Sequence, residues 1–200
     1  SFFKKKKIGK LILVPKNKLN LENYGKVDSF IKKQKPDVII NCAGKVGGIL
    51  PNSRFPIEFL NINILIQSNL INVAYKNKVK HFVNLGSSCI YPKNAKQPIK
   101  EEYLLSSSLE KTNEAYALAK IVGLKMCEYY NKQYNTSYFT LMPCNLYGEN
   151  DNFNLEESHF IPALIRKIVN SEKENVSSIE ILGTGKPKRE VMHVDDLSSA

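Results

Sequence analysis

The sequence predicts an α/β fold built on an open, doubly wound parallel sheet, followed by the start of a smaller lobe. Short apolar segments alternate with longer segments of helical periodicity, which gives the order βαβα. The short segments, such as residues 81–85, show little polar alternation, as expected for strands that helices cover on both faces. Loops at residues 44–48, 86–89 and 143–145 directly follow three of them. Ligands bind beyond the carboxyl ends of the strands in such sheets, so these loops predict one common crevice.

Strands and helices alternate from the start of the chain to about residue 148. We expect strands at residues 8–14, 37–43, 81–85 and 138–142. We expect helices at residues 27–35, 56–76 and 113–134. Pro36 ends the first helix, because proline cannot continue it. Thr112 or Asn113 caps the third helix, and the carboxylate of Glu114 complements its dipole.

The sequence changes character after Gly148. The segments that follow are a polar loop at 151–158, a helix at 159–170, a short strand at 178–182, a turn-rich link at 183–187 and a strand at 189–194. A further helix begins at Asp195. We therefore expect a cofactor-binding core at residues 1–148, the start of a substrate-binding lobe at 149–187 and a return segment at 188–200. The absence of an initial Met leads us to expect a fragment.

Composition narrows the class of protein. A hydrophobic content of 42% and a charged content of 24% are those of a globular domain with an ordinary core. The net charge of +10 suits either nucleic acid or a small anionic substrate. The lysines are spread along the chain except for the run at 4–7, and no nucleic-acid-binding motif accompanies that run. We therefore expect a small anionic partner and no nucleic acid.

The apolar segments and the cysteines predict the compartment. No apolar run approaches the roughly 18–20 residues of a membrane span, and no apolar signal segment opens the chain, so we expect no membrane partner. The cysteines Cys42, Cys89, Cys127 and Cys144 are scattered, without a CxxC pair or metal-ligand spacing. A reduced, cytoplasmic protein without a metal is the simplest interpretation.

A tyrosine and a lysine lie four residues apart in the third predicted helix, so Tyr116 and Lys120 project from one face. An ammonium beside a phenol lowers the pKa of the phenol from about 10, which allows proton exchange with a carbonyl oxygen near neutral pH. Ser87, in the loop after the third strand, can hydrogen-bond the same oxygen. A carbonyl reductase needs these groups. The same spacing also occurs on ordinary surface helices, and that alternative stays open here.

Longer motifs carry a resemblance to a known family. They are the segments 45–49 (KVGGI), 85–93 (LGSSCIYPK), 110–120 (EKTNEAYALAK), 142–148 (MPCNLYG), 151–153 (DNF), 158–163 (SHFIPA) and 189–196 (REVMHVDD). From about residue 19 onward the chain resembles the extended short-chain dehydrogenase/reductases, and within them the GDP-L-fucose synthase family. The resemblance implies a Rossmann-like fold and an NADPH-dependent enzyme. Its substrate would be GDP-4-keto-6-deoxy-mannose, epimerised at C3 and C5 and reduced at C4 to GDP-L-fucose. It also implies a homodimer formed through the helices at 56–76 and 113–134.

The resemblance implies a role for individual residues. Tyr116 gives a proton to the C4 oxygen with Ser87 as its partner, and Lys120 binds the nicotinamide ribose. Cys89 acts as the base of the epimerisation and His159 as the acid, although a lone cysteine is often a buried hydrophobe and a lone histidine a cap. The residues expected to bind NADPH or NADP are Lys16, Leu85, Gly86, Ser87, Ser88, Lys120, Pro143, Cys144, Asn145, Leu146 and His159. Those expected to bind the nucleotide sugar are Lys167, Leu182 and Arg189.

The chain departs from the family pattern at several positions. Lys16 and Lys167 stand where the family has arginine, which keeps the charge and loses the bidentate fork. Leu182 stands where the family often has a tryptophan against the nucleotide base. The family's Gly-x-x-Gly-x-x-Gly turn does not precede Ile8, and residues 1–7 resemble the end of the helix after that turn. We therefore expect the chain as written to bind NADPH poorly.

Two other functions remain open from the sequence. One is another nucleotide-sugar 4-epimerase, dehydratase or reductase of the same superfamily, against which Cys89 and His159 argue. The other is a non-catalytic Rossmann-like binding module, against which the retention of Tyr116, Lys120 and Cys89 argues.

Overall fold

In the part of the chain that the structure describes, three parallel strands form the sheet that carries the candidate site. The computed structural model describes residues 9–155, 157–181 and 183–200. Strands β1 (Val38–Asn41), β2 (His81–Leu85) and β3 (Ser137–Leu141) pair in the order β1-β2-β3. Their pairing is parallel throughout, with Asn41 opposite Asn84 and Leu85 opposite Leu141 at the carboxyl ends. The predicted parallel α/β architecture is confirmed.

Among the described residues, four α-helices lie before and between these strands. They are α1 (Tyr24–Gln34), α2 (Ile49–Arg54), α3 (Pro56–Lys76) and α4 (Glu114–Tyr134). The side chain of Asn23 caps α1 by accepting a hydrogen bond from the backbone N–H of Lys26 at 2.9 Å. Pro56 begins α3, since its fixed φ suits a first helical turn. Asn113 occupies the N-cap position of α4 as predicted, but its side chain makes no capping hydrogen bond.

Two buried clusters hold the helices and loops in place. The first includes Val27 of α1, Ile71 of α3, Phe82 of β2 and Tyr138 of β3, and its burial from water joins helices to sheet. The second contains Ile90, Leu109, Ala117 and Ile121. It fixes the loop after β2 against α4, which brings two of the sequence motifs together.

A second, smaller sheet follows. Strand β4 (Asn145–Tyr147) pairs in parallel with β5 (Val191–His193), helix α5 (Phe160–Lys173) lies between them along the chain, and α6 (Val194–Ser199) follows β5. The pairing begins where the backbone N–H of Asn145 bonds the carbonyl of Glu190 at 3.3 Å. The residues after β3 therefore lie beside the end of the chain. Within the described residues, no helix has the length and apolar character to cross a membrane.

Two predicted strands are wrong. Residues 9–14 join no sheet, and Leu11 and Leu13 are exposed; Ile8 and the charged run before it lie outside the described residues. An apolar segment becomes a strand only when another strand completes its hydrogen bonds, and none of the described strands pairs with this one. Residues 178–181 also form no strand, and the backbone carbonyl of Glu180 accepts a hydrogen bond from a side chain, Lys167 Nζ, at 2.6 Å.

Gly123 of α4 lies against the Gln67 side chain of α3. A Cβ at this position would lie 2.1 Å from Gln67 Oε1 and 2.9 Å from Asn84 Nδ2, and both of these side chains are buried. The glycine therefore permits the close approach of the two helices.

We expect Gly123→Ala to lower the free energy of unfolding by about 1–3 kcal/mol, because the methyl group overpacks a filled core. Urea unfolding of the full-length protein measures this change. Gly25→Ala in α1 is the control, since a Cβ there would meet only Asn23 Oδ1, at 3.6 Å. Equal stability of the two variants would contradict the prediction.

Candidate active site

The candidate site lies at the loops that follow the carboxyl ends of β1, β2 and β3, where the sequence predicts it. The backbone N–H of Gly86 donates to the carbonyl of Leu141 at 2.7 Å, so the loop after β2 lies against the end of β3. A 3-10 turn over Ser88–Ile90 follows. It is capped by Ser87, whose Oγ accepts a hydrogen bond from the backbone N–H of Cys89 at 3.5 Å.

Four of the predicted catalytic residues lie together. Tyr116 and Lys120 share one face of α4, with Lys120 Nζ 5.5 Å from the centre of the Tyr116 ring. Lys120 Nζ also donates to the carbonyl of Leu85 at 2.7 Å, which joins α4 to the end of β2. The Ser87 hydroxyl lies close enough to the phenol of Tyr116 and the thiol of Cys89 to lower the pKa of each. A hydroxyl, a phenol, a thiol and an ammonium therefore meet at one point.

The expected effect of Lys120 on the pKa of Tyr116 is wrong for this structure. Burial raises the pKa of Tyr116 above its ordinary value, the nearby thiolate form of Cys89 raises it further, and only the Ser87 hydrogen bond lowers it. Lys120 directs its Nζ at the Leu85 carbonyl rather than at the phenol oxygen. The phenol is consequently protonated at neutral pH, which is the form that donates a proton.

The thiol of Cys89 and the ammonium of Lys120 act on each other. Burial raises the pKa of Cys89, while Ser87 and the charge of Lys120 lower it. Burial lowers the pKa of Lys120, and the thiolate forms of Cys89 and Cys42 raise it. Each group thus favours the charged form of the other in a site that otherwise disfavours charge.

An asparagine shapes the loop after β1, and the sequence analysis did not single it out. Asn63 of α3 accepts from the backbone N–H of Lys45 at 3.0 Å and donates to the Lys45 carbonyl at 2.9 Å. A Cβ on Gly44 would lie 2.7 Å from Asn63 Oδ1, so glycine allows this close clamp. The available signal was a pair of polar residues, Asn63 and Gln67, placed four apart within an apolar helix.

Most of the predicted cofactor residues lie at or directly after the carboxyl ends of β2 and β3. Gly86 is enclosed, since a Cβ there would lie 2.9 Å from Thr140 Cγ2 and 3.0 Å from the Leu141 carbonyl. Pro143, Cys144, Asn145 and Leu146 are partly buried and lead into β4. The ammonium of Lys120 has three hydrogens and one hydrogen-bond acceptor among the described residues, the Leu85 carbonyl. A buried cation with spare donors next to a phenol fits the hydroxyl groups of a ribose.

The remaining predicted residues lie apart from this cluster. His159 is exposed at the N-cap of α5 rather than inside the helix, and its side chain makes no capping hydrogen bond. Its loop nevertheless touches the loop after β1, because the Gly48 N–H donates to the Glu157 carbonyl at 3.3 Å. Lys16 is exposed in a turn, and Leu182 lies outside the described residues.

The two cations predicted to hold the diphosphate bind backbone carbonyls instead. Lys167 bonds Glu180, and Arg189 Nη1 bonds the carbonyl of the adjacent Lys188 at 2.9 Å. Arg189 is exposed immediately before the pairing of β5 with β4. No group of three or more potential metal ligands occurs among the described residues, and the cysteines described there form no disulfide.

The parallel sheet and the helices packed on it are those of an α/β protein of the Rossmann-like class. The family model described as the NAD dependent epimerase/dehydratase family matches residues 3–200, and the chain belongs to this family.

Curated relatives include GDP-L-fucose synthases. The chain is 46% identical over 190 residues to the GDP-L-fucose synthase of Escherichia coli (strain K12), with 95% of this chain and 59% of that protein covered. It is 43% identical over 188 residues to the GDP-L-colitose synthase of Yersinia pseudotuberculosis, with 93% of this chain and 61% of that protein covered. The chain thus spans less than two thirds of the length of these relatives.

Solved structures include related GDP-sugar enzymes. A GDP-6-OMe-4-keto-L-xylo-heptose reductase from C. jejuni superposes with a TM-score of 0.89 at 34% identity, covering 98% of this chain and 64% of that one. A GDP-L-fucose synthetase from Naegleria fowleri bound to NADP superposes with a TM-score of 0.88 at 28% identity, with the same coverage of 98% and 64%.

Proposed function

We propose that the full-length protein is an NADPH-dependent epimerase-reductase that converts GDP-4-keto-6-deoxy-mannose to GDP-L-fucose. The observation that carries the proposal is the meeting of Ser87, Cys89, Tyr116 and Lys120 at the carboxyl end of β2. The relatives named GDP-L-fucose synthase support the substrate class.

The reduction at C4 uses the phenol and the hydroxyl. Tyr116 is protonated at neutral pH, so its Oη gives a proton to the C4 oxygen as that oxygen gains charge. The Ser87 hydroxyl lies beside the same phenol and stabilises the developing charge by hydrogen bonding. Lys120, anchored at the Leu85 carbonyl, orients the ribose and limits the space that the sugar can occupy.

The epimerisation requires a base and an acid on opposite faces of the sugar. We assign the base to Cys89: burial raises the pKa of its thiol, while Ser87 and the charge of Lys120 act in the opposite direction, and the thiolate is the form that takes the proton. The proton leaves C3 or C5 for the Cys89 sulfur while the electron pair passes to the C4 oxygen. We assign the acid to His159, which returns a proton to the same carbon from the other face. The contact of its loop with Gly48 supports a position across the crevice.

NADPH is the cofactor that the residues fit. Gly86, Ser87 and Ser88 after β2 and the segment 143–146 would line the nicotinamide side, with Lys120 on the ribose; NADPH would supply the hydride for C4. Leu85 and His159 would complete this side of the crevice. Lys16, in its exposed turn, would hold the 2′-phosphate of the adenosine.

We expect Lys16→Ala to raise the KM for NADPH about tenfold and to leave the KM for NADH nearly unchanged, since only NADPH carries the phosphate. Steady-state kinetics of the full-length protein with both nucleotides measures the two values. Lys18→Ala in the same turn is the control, because its side chain is also exposed. A parallel rise for both nucleotides would contradict the assignment.

The smaller lobe would hold the nucleotide sugar. We propose that residues 1–148 form the cofactor core, that residues 149–187 begin the substrate lobe and that residues 188–200 return to the core. The pairing of β5 with β4 supports the return. Lys167 and Arg189 are the proposed diphosphate ligands, and Leu182 is the proposed contact of the nucleotide base.

Two further assignments concern the assembly and the compartment. We propose a homodimer that pairs α3 and α4 of each copy, since Leu65, Leu118 and Val122 on these helices are exposed. We propose the cytoplasm, because the proposed base is a thiol that needs a reducing compartment.

The test is turnover by the full-length protein. GDP-4-keto-6-deoxy-mannose is supplied with NADPH, the loss of nicotinamide absorbance is followed, and the sugar is identified by NMR. Formation of GDP-L-fucose supports the proposal. Formation of an unepimerised 4-hydroxy sugar retains the reductase and removes the epimerase, and absence of turnover rejects this substrate.

A further inference from the structure

We propose that three buried amide side chains, Asn41, Gln67 and Asn84, form a network that positions the Tyr116–Lys120 pair against the end of β2. This proposal rests on the proposed function, because positioning matters only if these groups perform the chemistry. The residues of this amide network touch neither substrate nor cofactor in the proposed arrangement, so they act as positioning residues.

Gln67 fixes helix α4 at the turn that carries the pair. Its Nε2 donates to the carbonyl of Ala119 at 3.0 Å and to the carbonyl of Asn63 at 2.9 Å. Ala119 precedes Lys120 directly and lies three residues after Tyr116. The register of α4 along α3 is therefore set by a hydrogen bond at the reacting pair.

Asn84 and Asn41 extend the network to the sheet. Asn84 Nδ2 donates to Gln67 Oε1 at 3.0 Å, and Asn84 Oδ1 accepts from Asn41 Nδ2 at 3.0 Å. Asn84 directly precedes Leu85, whose carbonyl accepts from Lys120 Nζ at 2.7 Å. These hydrogen bonds link α4 through Gln67 and Asn84 to the end of β2, and Lys120 links the end of β2 back to α4.

Burial makes the orientation of the network unique. Asn41, Gln67 and Asn84 have exposed fractions of 3%, 1% and 0%. Backbone carbonyls only accept hydrogen bonds, so Gln67 Nε2 must face Ala119 and Asn63, and Oε1 must face Asn84. Apolar side chains could fill the same volume but would impose no direction. Gly123 lies beside Gln67 Oε1, so that even a methyl group at this position would clash with the network.

The first experiment compares Gln67→Met with wild type in the full-length protein. We expect kcat for C4 reduction to fall about tenfold or more, because small displacements of reacting groups cost large factors in rate. We expect the KM for the GDP sugar to stay within about threefold, since no substrate contact is lost, and the alkaline limb of the pH–rate profile to move. Asn69→Leu is the control: Asn69 is also buried on α3, but its Nδ2 donates to the distant Leu21 carbonyl at 2.8 Å. It should lower Tm without moving kcat or the pH profile.

A second variant separates positioning from folding. The combined substitution Asn41→Leu, Gln67→Met and Asn84→Leu removes the network as a unit and leaves no unpaired side-chain amide of the network behind, and only the backbone N–H of Ala43 loses its acceptor, Asn41 Oδ1. We expect it to recover much of the Tm lost in Gln67→Met while kcat stays low. A triple variant with wild-type kcat and pH profile would overturn the proposal.

A readout independent of turnover completes the test. The rate of alkylation of Cys89 by iodoacetamide, followed by peptide mass mapping across pH, reports the charge of Lys120 beside the thiol. The Gln67→Met profile should shift along the pH axis, and that of Asn69→Leu should not. Absence of wild-type turnover rejects the proposed function. The alkylation profiles then still test whether the amide network positions Lys120 beside Cys89. Identical profiles for Gln67→Met and wild type would overturn it.

Discussion

Replacing Tyr116 by phenylalanine is expected to slow the reduction of C4 about 10²–10⁴-fold, which is the range that a positioned proton donor contributes. Only the phenol oxygen is removed. The ring keeps its edge-to-face contact with Phe59, at 6.3 Å between centroids, so the fold should be retained. The loss should appear in kcat, with the KM for the GDP sugar little changed, because the proton transfer occurs in the transition state.

The pH profile gives a second signature of the same residue. Burial raises the pKa of Tyr116, so the donating phenol persists above the ordinary tyrosine pKa of about 10. The decline of kcat assigned to this group should therefore begin only at higher pH, and Tyr116→Phe should abolish it. Single-turnover reduction across pH measures both effects.

Tyr138→Phe is the matched control for Tyr116→Phe. Tyr138 is buried, and its hydroxyl donates to the Val79 carbonyl at 3.2 Å in the core. Its loss should cost about 1 kcal/mol of stability without changing kcat. A Tyr116→Phe variant that reduces the substrate as fast as Tyr138→Phe would contradict the role of the phenol.

The fold was predictable where local pattern and burial agree. Helix α3 occupies the predicted residues because Pro56 starts it and its apolar stripe continues to Ala74. Strand β2 matches because it pairs with a strand on each side and because Phe82 and Asn84 are fully buried. The expected covering of both faces by helices is wrong for the described residues, since Ile40 and Phe139 on the opposite face are exposed. The strand predicted at residues 8–14 is wrong, because an apolar pattern does not show whether a neighbouring strand is present to complete the hydrogen bonds.

The sequence predicts which residues the candidate site contains, but it does not predict their burial or their hydrogen-bond partners. Spacing alone places Tyr116 and Lys120 on one helix face, and the motif after β2 supplies Ser87 and Cys89. The direction of the Tyr116 pKa shift depends on burial and on where Lys120 Nζ points, and neither follows from spacing. Gln67 was missed because a polar residue in an apolar helix becomes informative only when its partners are known.

Replacing Cys89 by serine is expected to slow proton exchange at C3 and C5 about 10²–10⁴-fold, because a serine hydroxyl cannot supply an anion at neutral pH as a thiol can. Burial has the largest effect on the pKa of Cys89, and Ser87 and the charge of Lys120 partly offset it. Burial still raises the pKa of Cys89, so wild-type exchange should increase as pH rises through and above the ordinary thiol range near 8.5. This increase should disappear in the variant.

Deuterium incorporation from solvent, followed by NMR without NADPH, measures the exchange separately from reduction. With NADPH present, Cys89→Ser should still consume nicotinamide through Tyr116 and Lys120, and should release a sugar that is reduced but not epimerised. Cys127→Ala is the control, since that thiol lies in the core, where burial raises its pKa to about 11. Cys127→Ala should exchange as wild type does. Undiminished exchange in Cys89→Ser would assign the base to another group, whereas loss of exchange with retained reduction would place the two half-reactions on different residues of one crevice.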